Sequence, residues 1–220
     1  MSEQTCSADP RPYQMRKRAE QVEQTRQRII DATVELHTTV GPADTTISGI
    51  AEHAGVTRLT VYRHFPDLDS LYAACTHRWT SQHPGPDPAA WLRISDHDER
   101  VRRALRELYG WYREHVDDLY PLYRDVDAWP ETAQRAAAEE EHAWADALVT
   151  GSGVRGHSRR RLRAAAGHVT SFWTWHSLTV DQSLTDREAA GLAEALLMAA
   201  AGRGGRAPQA PASRQGQAPR

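Results

Sequence analysis

Apolar residues recur at three- and four-residue intervals from about residue 19 to residue 201, and strict alternation is almost absent, so the pattern predicts an all-helical chain. The first predicted helix runs from Ala19 to Val40, with Ile29, Thr33, Leu36 and Val40 along one stripe. Gly41-Pro42 ends it, because proline has no N–H to donate and glycine permits a left-handed cap. Thr45-Thr46 can cap a short second helix, Ile47 to Ala54. Gly55 suits a positive φ, and Val56-Thr57 opens a third helix from Arg58 to His64 or Phe65, broken by Pro66. Asp67 caps a fourth, running to Ser81, with Leu68, Leu71, Cys75 and Trp79 on one face.

A proline-rich break follows at residues 82–90, and the domain boundary is placed there. Helical periodicity resumes near Asp98, with Val101, Leu105, Leu108 and Tyr112 inward. Pro121 is expected to interrupt the next segment. Another helix spans about Glu131 to Val149, and Gly151 to Gly156 reads as a loop. The last two helices are expected over Ser158–Val180 and Asp186–Ala201, the second capped by Asp186. Residues 202–220 hold almost no large apolar groups, cannot offset their ordering entropy and are expected to be disordered. The predicted organisation is a flexible basic arm (1–18), a three-helix unit (19–66), a linking helix (67–81), a second helical domain (82–201) and a tail (202–220).

Composition narrows the function classes. At 220 residues, with 40% hydrophobic and 25% charged residues, the chain can bury a real core. It has no apolar run long enough to cross a bilayer and no apolar leader, so a cytoplasmic location is expected. Cys6 and Cys75 cannot build a disulfide framework or a four-thiolate zinc site. The net charge of −2 excludes a histone-like polycation. Charge is unevenly placed, however: residues 11–65 carry eight basic groups against six acidic, and residues 82–149 carry eight against fifteen. Arg11, Arg16, Lys17, Arg18, Arg26 and Arg28 fall within eighteen residues. The eleven histidines include no His-x-x-x-His pair, so no metal site or cofactor is expected. Ser152 lacks the strand-turn-helix setting of an activated nucleophile, and no catalytic residue is expected.

The most specific stretch is Ile47-Ser48-Gly49-Ile50-Ala51-Glu52-His53-Ala54-Gly55-Val56-Thr57, two helices meeting at a glycine turn, with Ile50, Ala54 and Val56 under the turn. With Ile29-Ile30-Asp31-Ala32 before it and Val61-Tyr62-Arg63-His64-Phe65 and Leu71 after it, the run from about Thr25 to Trp79 resembles the TetR family of transcriptional regulators. The resemblance implies an N-terminal helix-turn-helix DNA-binding domain and a C-terminal helical domain for ligand binding and dimerisation. It also implies a homodimeric repressor, released from a palindromic double-stranded DNA operator by a small-molecule effector.

The candidate DNA-contacting residues are Thr46, Ser48, Thr57, Arg58, Leu59, Thr60, Tyr62, Arg63 and His64. Arg58, at the start of the third helix, can reach guanine O6 and N7 together, and Leu59 can meet a thymine methyl. Thr46 and Ser48 can bond phosphates from a helix N-terminus. The resemblance gives Tyr62 and His64 phosphate contacts; a half-buried Tyr62 and a plain polar helix end at His64 are the competing placements. The arm at Arg11–Arg18 either tracks the minor groove or is a solvated tail. Two features depart from the family's pattern. No lysine opens the fourth helix, where Pro66-Asp67-Leu68 stands, and Gly49 sits inside the second helix.

The second domain concentrates the aromatic residues, and Tyr109, Trp111, Tyr112, Trp129, Trp144, Phe172, Trp175 and His176 are the candidate effector contacts. The resemblance puts the dimer interface in the last two helices. Leu162, Ala165, Ala166, Val169, Phe172, Trp173 and Leu178 spread round more than one face, as burial on two sides requires. A DNA-binding protein without an effector and a metal sensor are the alternative readings.

Overall fold

A computed structural model describes residues 10–202, with side chains from Gln14 onward. The described chain is helical, with no strand. In order the helices are α1 (Pro10–Thr39), α2 (Ile47–His53), α3 (Arg58–His64), α4 (Leu68–Gln82), α5 (Pro88–Leu92), α6 (His97–Glu114), α7 (Val116–Arg124), α8 (Glu131–Val149), α9 (Gly156–Val169), α10 (Phe172–His176) and α11 (Asp186–Ala200). A 3-10 turn, Val126–Ala128, follows α7, and a π turn, Ser177–Asp181, follows α10.

The chain divides into two compact units. One holds the described residues up to Pro86 together with Gly110–Glu140; the other holds Asp87–Tyr109 and the described residues from Glu141 on. The chain passes between them after Pro86, then again inside α6 and inside α8. The return of residues 110–140 to the first unit has no marker in the sequence, because a helix that changes core partner midway shows no break in its periodicity.

The first unit is built on α1. Ile29, Ile30 and Ala32 pack with Ile50, Ala51 and Ala54 of α2, Val61 of α3, Phe65, and Leu71 and Cys75 of α4 in one buried cluster. Arg78 of α4 donates to Asp31 of α1 at 2.9 Å. The expected stripe stops short at Val40, which lies beyond the helix and is exposed. The helix begins at Pro10 rather than Ala19, so the described part of the expected flexible arm, residues 10–18, is helical. The physical reason is local: after Pro12 no breaker intervenes, glutamine, methionine, arginine and lysine are good helix formers, and Arg16 pairs with Glu20 one turn on. Residues 1–9 of that arm, and all of the expected tail except Gly202, lie outside the described residues.

Four further expectations change. Within the proline-rich break, Asp87 caps α5 by accepting from the Ala89 N–H, and Trp91 is buried. Pro121 lies inside α7, and the chain breaks instead at His115. Buried with Leu119, Pro121 takes an inward position, which offsets its lost hydrogen bond. The helix expected over Ser158–Val180 is interrupted at Thr170-Ser171 and ends in the π turn. Finally, α11 is capped by Thr185, not Asp186. The Thr185 and Glu188 side chains satisfy each other's backbone N–H groups, while Asp186 accepts from the indole of Trp175 at 3.0 Å.

The second unit buries Trp91, Val101, Leu105, Leu108, Tyr109, Trp144, Leu162, Phe172 and Trp175, with the alanine face of α11. Its polar groups are satisfied internally. Trp91 donates to Glu107, and the Tyr109 hydroxyl donates to the Val169 carbonyl at 2.9 Å. Buried Arg100 has its charge met by backbone carbonyls of Ile94 and Thr150, at two chain turns where carbonyl oxygens converge.

His37, on α1, gives the first unit a pH dependence. It is buried against Tyr72 and Cys75, its Nδ1 3.7 Å from the Cys75 sulfur, and burial pushes its pKa down to about 4. The unfolded chain takes up this proton near pH 6.5, whereas the folded chain resists until about pH 4. Stability therefore falls as the pH drops through that window, by about 3 kcal/mol in total. Urea unfolding from pH 7.5 to 4 should show this slope, and His37→Leu should remove most of it.

Candidate nucleic-acid interface

The pair α2–α3 is set by its caps and its turn. Thr46 caps α2 by accepting from the Gly49 N–H at 3.0 Å, and Thr57 caps α3 by accepting from the Thr60 N–H at 3.2 Å. Between them Gly55 has φ +64°, the left-handed conformation, and the Val56 N–H returns to the Ala51 carbonyl at 2.9 Å. Gly49 needs no such freedom. A Cβ there would meet Leu36 of α1 at 4.0 Å and the Thr46 hydroxyl at 3.4 Å, ordinary contacts.

This frame decides which side of α3 faces out. Val61 is wholly buried and Phe65 nearly so, while Arg58, Leu59, Tyr62 and Arg63 point to solvent. Leu59 is 79% exposed, an unusual position for its side chain in a chain that has a core to fill. Tyr62 stands outward, not in the core. Thr46, Ser48 and Thr57 are exposed, Thr60 and His64 partly so. The nine candidate DNA contacts are thus brought onto α3 and the start of α2. Thr46 and Thr57 use an oxygen lone pair for capping, which leaves the Thr46 hydroxyl proton to donate. The Thr57 and Thr60 hydroxyls also bond each other at 3.0 Å.

Electrostatics sharpen this surface. Burial first, then the Arg63 and Arg26 guanidiniums, lowers the pKa of His64, so at neutral pH it offers an N–H and no charge. Arg26 of α1 stacks over the Phe65 ring at 5.0 Å, next to the end of α3. Arg28 reaches to within 3.9 Å of where a side chain on Gly55 would begin. Both arginines were visible in the sequence only as part of a cluster, because their nearness to the turn depends on how α1 packs.

The loop before α2 is held from a distant part of the chain. Asp125 accepts from the Ala43 N–H at 3.1 Å, and Arg124 donates to the Val40 carbonyl at 2.8 Å while pairing with Asp125 at 2.7 Å. Gly41, with φ +99°, lies against this pair. The Arg124 hydrogen bond and the Ala43 N–H hold the Asp125 carboxyl below its usual range. None of this anchor was legible in the sequence.

The eight candidate effector contacts are divided between the units. Trp111, Tyr112 and Trp129 belong to the first, and Tyr109, Trp144, Phe172, Trp175 and His176 to the second. Phe172, Trp175 and His176 gather, with ring centroids 5.6 to 6.4 Å apart. Tyr109, Tyr112, Trp144, Phe172 and Trp175 are each no more than 1% exposed. Trp129 packs beside Tyr72 and borders a cleft in the first unit. Among the described residues no group of three or more histidines, cysteines or carboxylates is placed to hold a metal ion, and no helix is long and apolar enough to cross a membrane.

Comparison with known proteins places this region. Residues 29–75 match the family model for bacterial regulatory proteins of the tetR family. Over 70 residues, 31% of this chain, it is 49% identical to the HTH-type transcriptional regulator SrpR of Pseudomonas putida, covering 32% of that protein. Over 70 residues it is 47% identical to the uncharacterised HTH-type transcriptional regulator TtgW, also of Pseudomonas putida, covering 50% of it. The match thus spans a third to a half of these relatives. The fold extends further. A tetR-family transcriptional regulator from Streptomyces coelicolor superposes with a TM-score of 0.55 at 21% identity, over 81% of this chain and 82% of that one. A TetR-like transcriptional regulator from Rhodococcus sp. RHA1 does so at 0.51 and 20%, over 79% and 93%.

The loop anchor is testable without DNA. Asp125→Ala should speed hydrogen exchange at the Ala43 amide while exchange in the centre of α1 stays slow. Gly41→Ala should cost more than the ~1–2 kcal/mol of the left-handed backbone, read by urea unfolding, because its Cβ would collide with the Asp125 and Arg124 side chains.

Proposed function

We propose, on the match of residues 29–75 to the tetR-family model, that this chain is a homodimeric, DNA-binding transcriptional repressor that a small-molecule effector releases from its operator. The observation that carries the reading is the outward face of α3. Two guanidiniums, a phenol and a leucine side chain stand exposed on a helix whose opposite face is buried. That set matches base-edge readout in the major groove: Arg58 for guanine, Leu59 for a thymine methyl, and Tyr62 with Arg26 and Arg28 for phosphates. His64 adds a hydrogen bond to phosphate.

One reader covers half of a two-fold operator, and a dimer supplies the other half. The support for a dimer lies in the second unit. Trp173, Val180, Leu192 and Leu196 are 43 to 52% exposed, while Phe172, Leu162 and Val169 are buried inside the unit itself. Gly191, Ala195 and Ala199 are also exposed on α11, and small residues there allow close helix approach. The proposed place of action is the cytoplasm, where the operator is.

The effector would act by population shift, binding better to the conformation that does not fit DNA. Its candidate contacts remain Tyr109, Trp111, Tyr112, Trp129, Trp144, Phe172, Trp175 and His176. The full burial of five of these rings favours a packing role for them, and it supports the second reading, a DNA-binding protein without an effector.

Selection of duplexes retained by the purified protein should return a palindrome. On it, Arg58→Ala should cost about 1–3 kcal/mol and relax preference at one position per half-site. Tyr62→Phe should instead weaken all sequences alike; an unchanged preference in Arg58→Ala would show that Arg58 reads no base. Light scattering should find Trp173→Glu and Leu192→Glu folded but monomeric. Phe172→Glu should unfold the second unit, because an unpaired carboxylate cannot stay buried.

A further inference from the structure

DNA reading makes no use of the cleft between α1, α2, α4 and the turn after Val126–Ala128, all within the first unit. It has a volume of about 420 Å³, inside the range of sites that hold small molecules, roughly 300–1,000 Å³. Ile47 of α2 and Leu68 and Leu71 of α4 give it apolar walls. The rings of Tyr72 and Trp129 line it with centroids 5.7 Å apart. No lysine or arginine lines it. Its carboxylate, Asp69, is exposed and accepts a hydrogen bond from the Thr132 hydroxyl. The His37 imidazole in its wall is kept neutral by burial. These groups offer an anion no positive partner.

Trp129 makes the wall incomplete. Its indole N–H is screened from solvent and has no acceptor within hydrogen-bonding distance. A buried donor left unmade carries its full desolvation penalty, which an acceptor on a bound molecule would relieve once the indole turns toward the cleft. Trp129, Tyr72 and neutral His37 together form a surface for a flat ring, and the aliphatic walls remove its faces from water.

We propose that this cleft is a ligand site taking a small, uncharged, ring-bearing molecule with a hydrogen-bond acceptor for Trp129, and that its occupant adjusts the position of α2. Ile47 and Ile50 of α2 form part of the wall, as do Pro42 and Thr45 of the loop that Arg124 and Asp125 hold. A molecule seated here touches α2 and α4 at once, and α2 is the support on which α3 is presented. Ligand and DNA affinities are then coupled, and the coupling is reciprocal. The effect on DNA rests on the reading of α3 as the DNA-contacting helix; the ligand site does not.

Calorimetry on the full chain, with two probes that share a ring system and differ in charge, decides the matter. 2-Naphthamide should bind saturably with one site per chain, and 2-naphthoate at least about tenfold more weakly, since its charge would be buried without a partner. Ala128→Trp should fill the mouth and abolish naphthamide binding. Trp129→Phe keeps a ring, loses the N–H, and should weaken it about five- to tenfold. The Trp129→Phe result decides alone if Ala128→Trp fails to fold. Absence of naphthamide binding, equal binding of naphthoate, or binding unchanged in the folded variants would overturn the site. Saturating naphthamide should also change affinity for the selected duplex by about fivefold or more; unchanged affinity overturns the coupling. A protein that retains no duplex, yet binds naphthamide as described, sinks the DNA reading and leaves the ligand site standing.

Discussion

A helix of seven residues has no stability of its own in water, so α3 exists only because Val61 and the following Phe65 are buried. That burial fixes the rotation of α3 about its axis, and with it which four side chains face out. The supporting surface comes from α1, α2 and α4, whose Ile29, Ile50 and Leu71 share the same cluster. Arg26 covers Phe65 from above, so the anchor of α3 is itself held beneath a positive charge that faces the same solvent. Core and surface are not separate here: Phe65, which positions α3, is also the platform for a guanidinium beside it.

The same economy governs the hydroxyl groups. Thr46 and Thr57 satisfy backbone donors at the starts of α2 and α3, which fixes where those helices begin. The Thr57 hydroxyl also shares a hydrogen bond with that of Thr60. The loop leading to α2 is bound to Asp125 and Arg124, more than eighty residues away in the chain. A segment that returns to the first unit from elsewhere in the chain thus holds the loop before α2 through hydrogen bonds to its main chain. The cleft beside it shares the 128–130 turn and α2, so anchor and cleft act on one element.

In the second unit the aromatic rings serve a different purpose from that of the exposed side chains on α3. Trp91, Tyr109 and Trp175 each place a polar atom on a named acceptor while burying the ring, the arrangement that lets a large amphipathic side chain enter a core. The buried aromatic rings of this unit thus fill its core. The exposed apolar side chains on α10, the π turn and α11 stand at the surface of that unit instead.

The sequence by itself determined the helical class, the helix-turn-helix and the lengths of α2, α3 and α4, because these depend on local signals: apolar period, threonine and aspartate caps, Gly55 in a left-handed turn, and Pro66 as a stop. It held the Thr185–Glu188 capping box as well, a pattern hidden by the plausible cap next to it at Asp186. The outward face of α3 was legible too, since Val61 and Phe65 are the apolar positions of a helix that must pack. Only the tertiary structure decided that residues 110–140 rejoin the first unit, that Asp125 holds the Ala43 amide, that Pro121 lies within a helix, and that Trp129 borders a cleft with an unmade hydrogen bond. Those facts rest on contacts between residues far apart in the chain. Apolar period and capping chemistry reach only a few residues along a chain, and carry no record of which distant segment fills the space beside it.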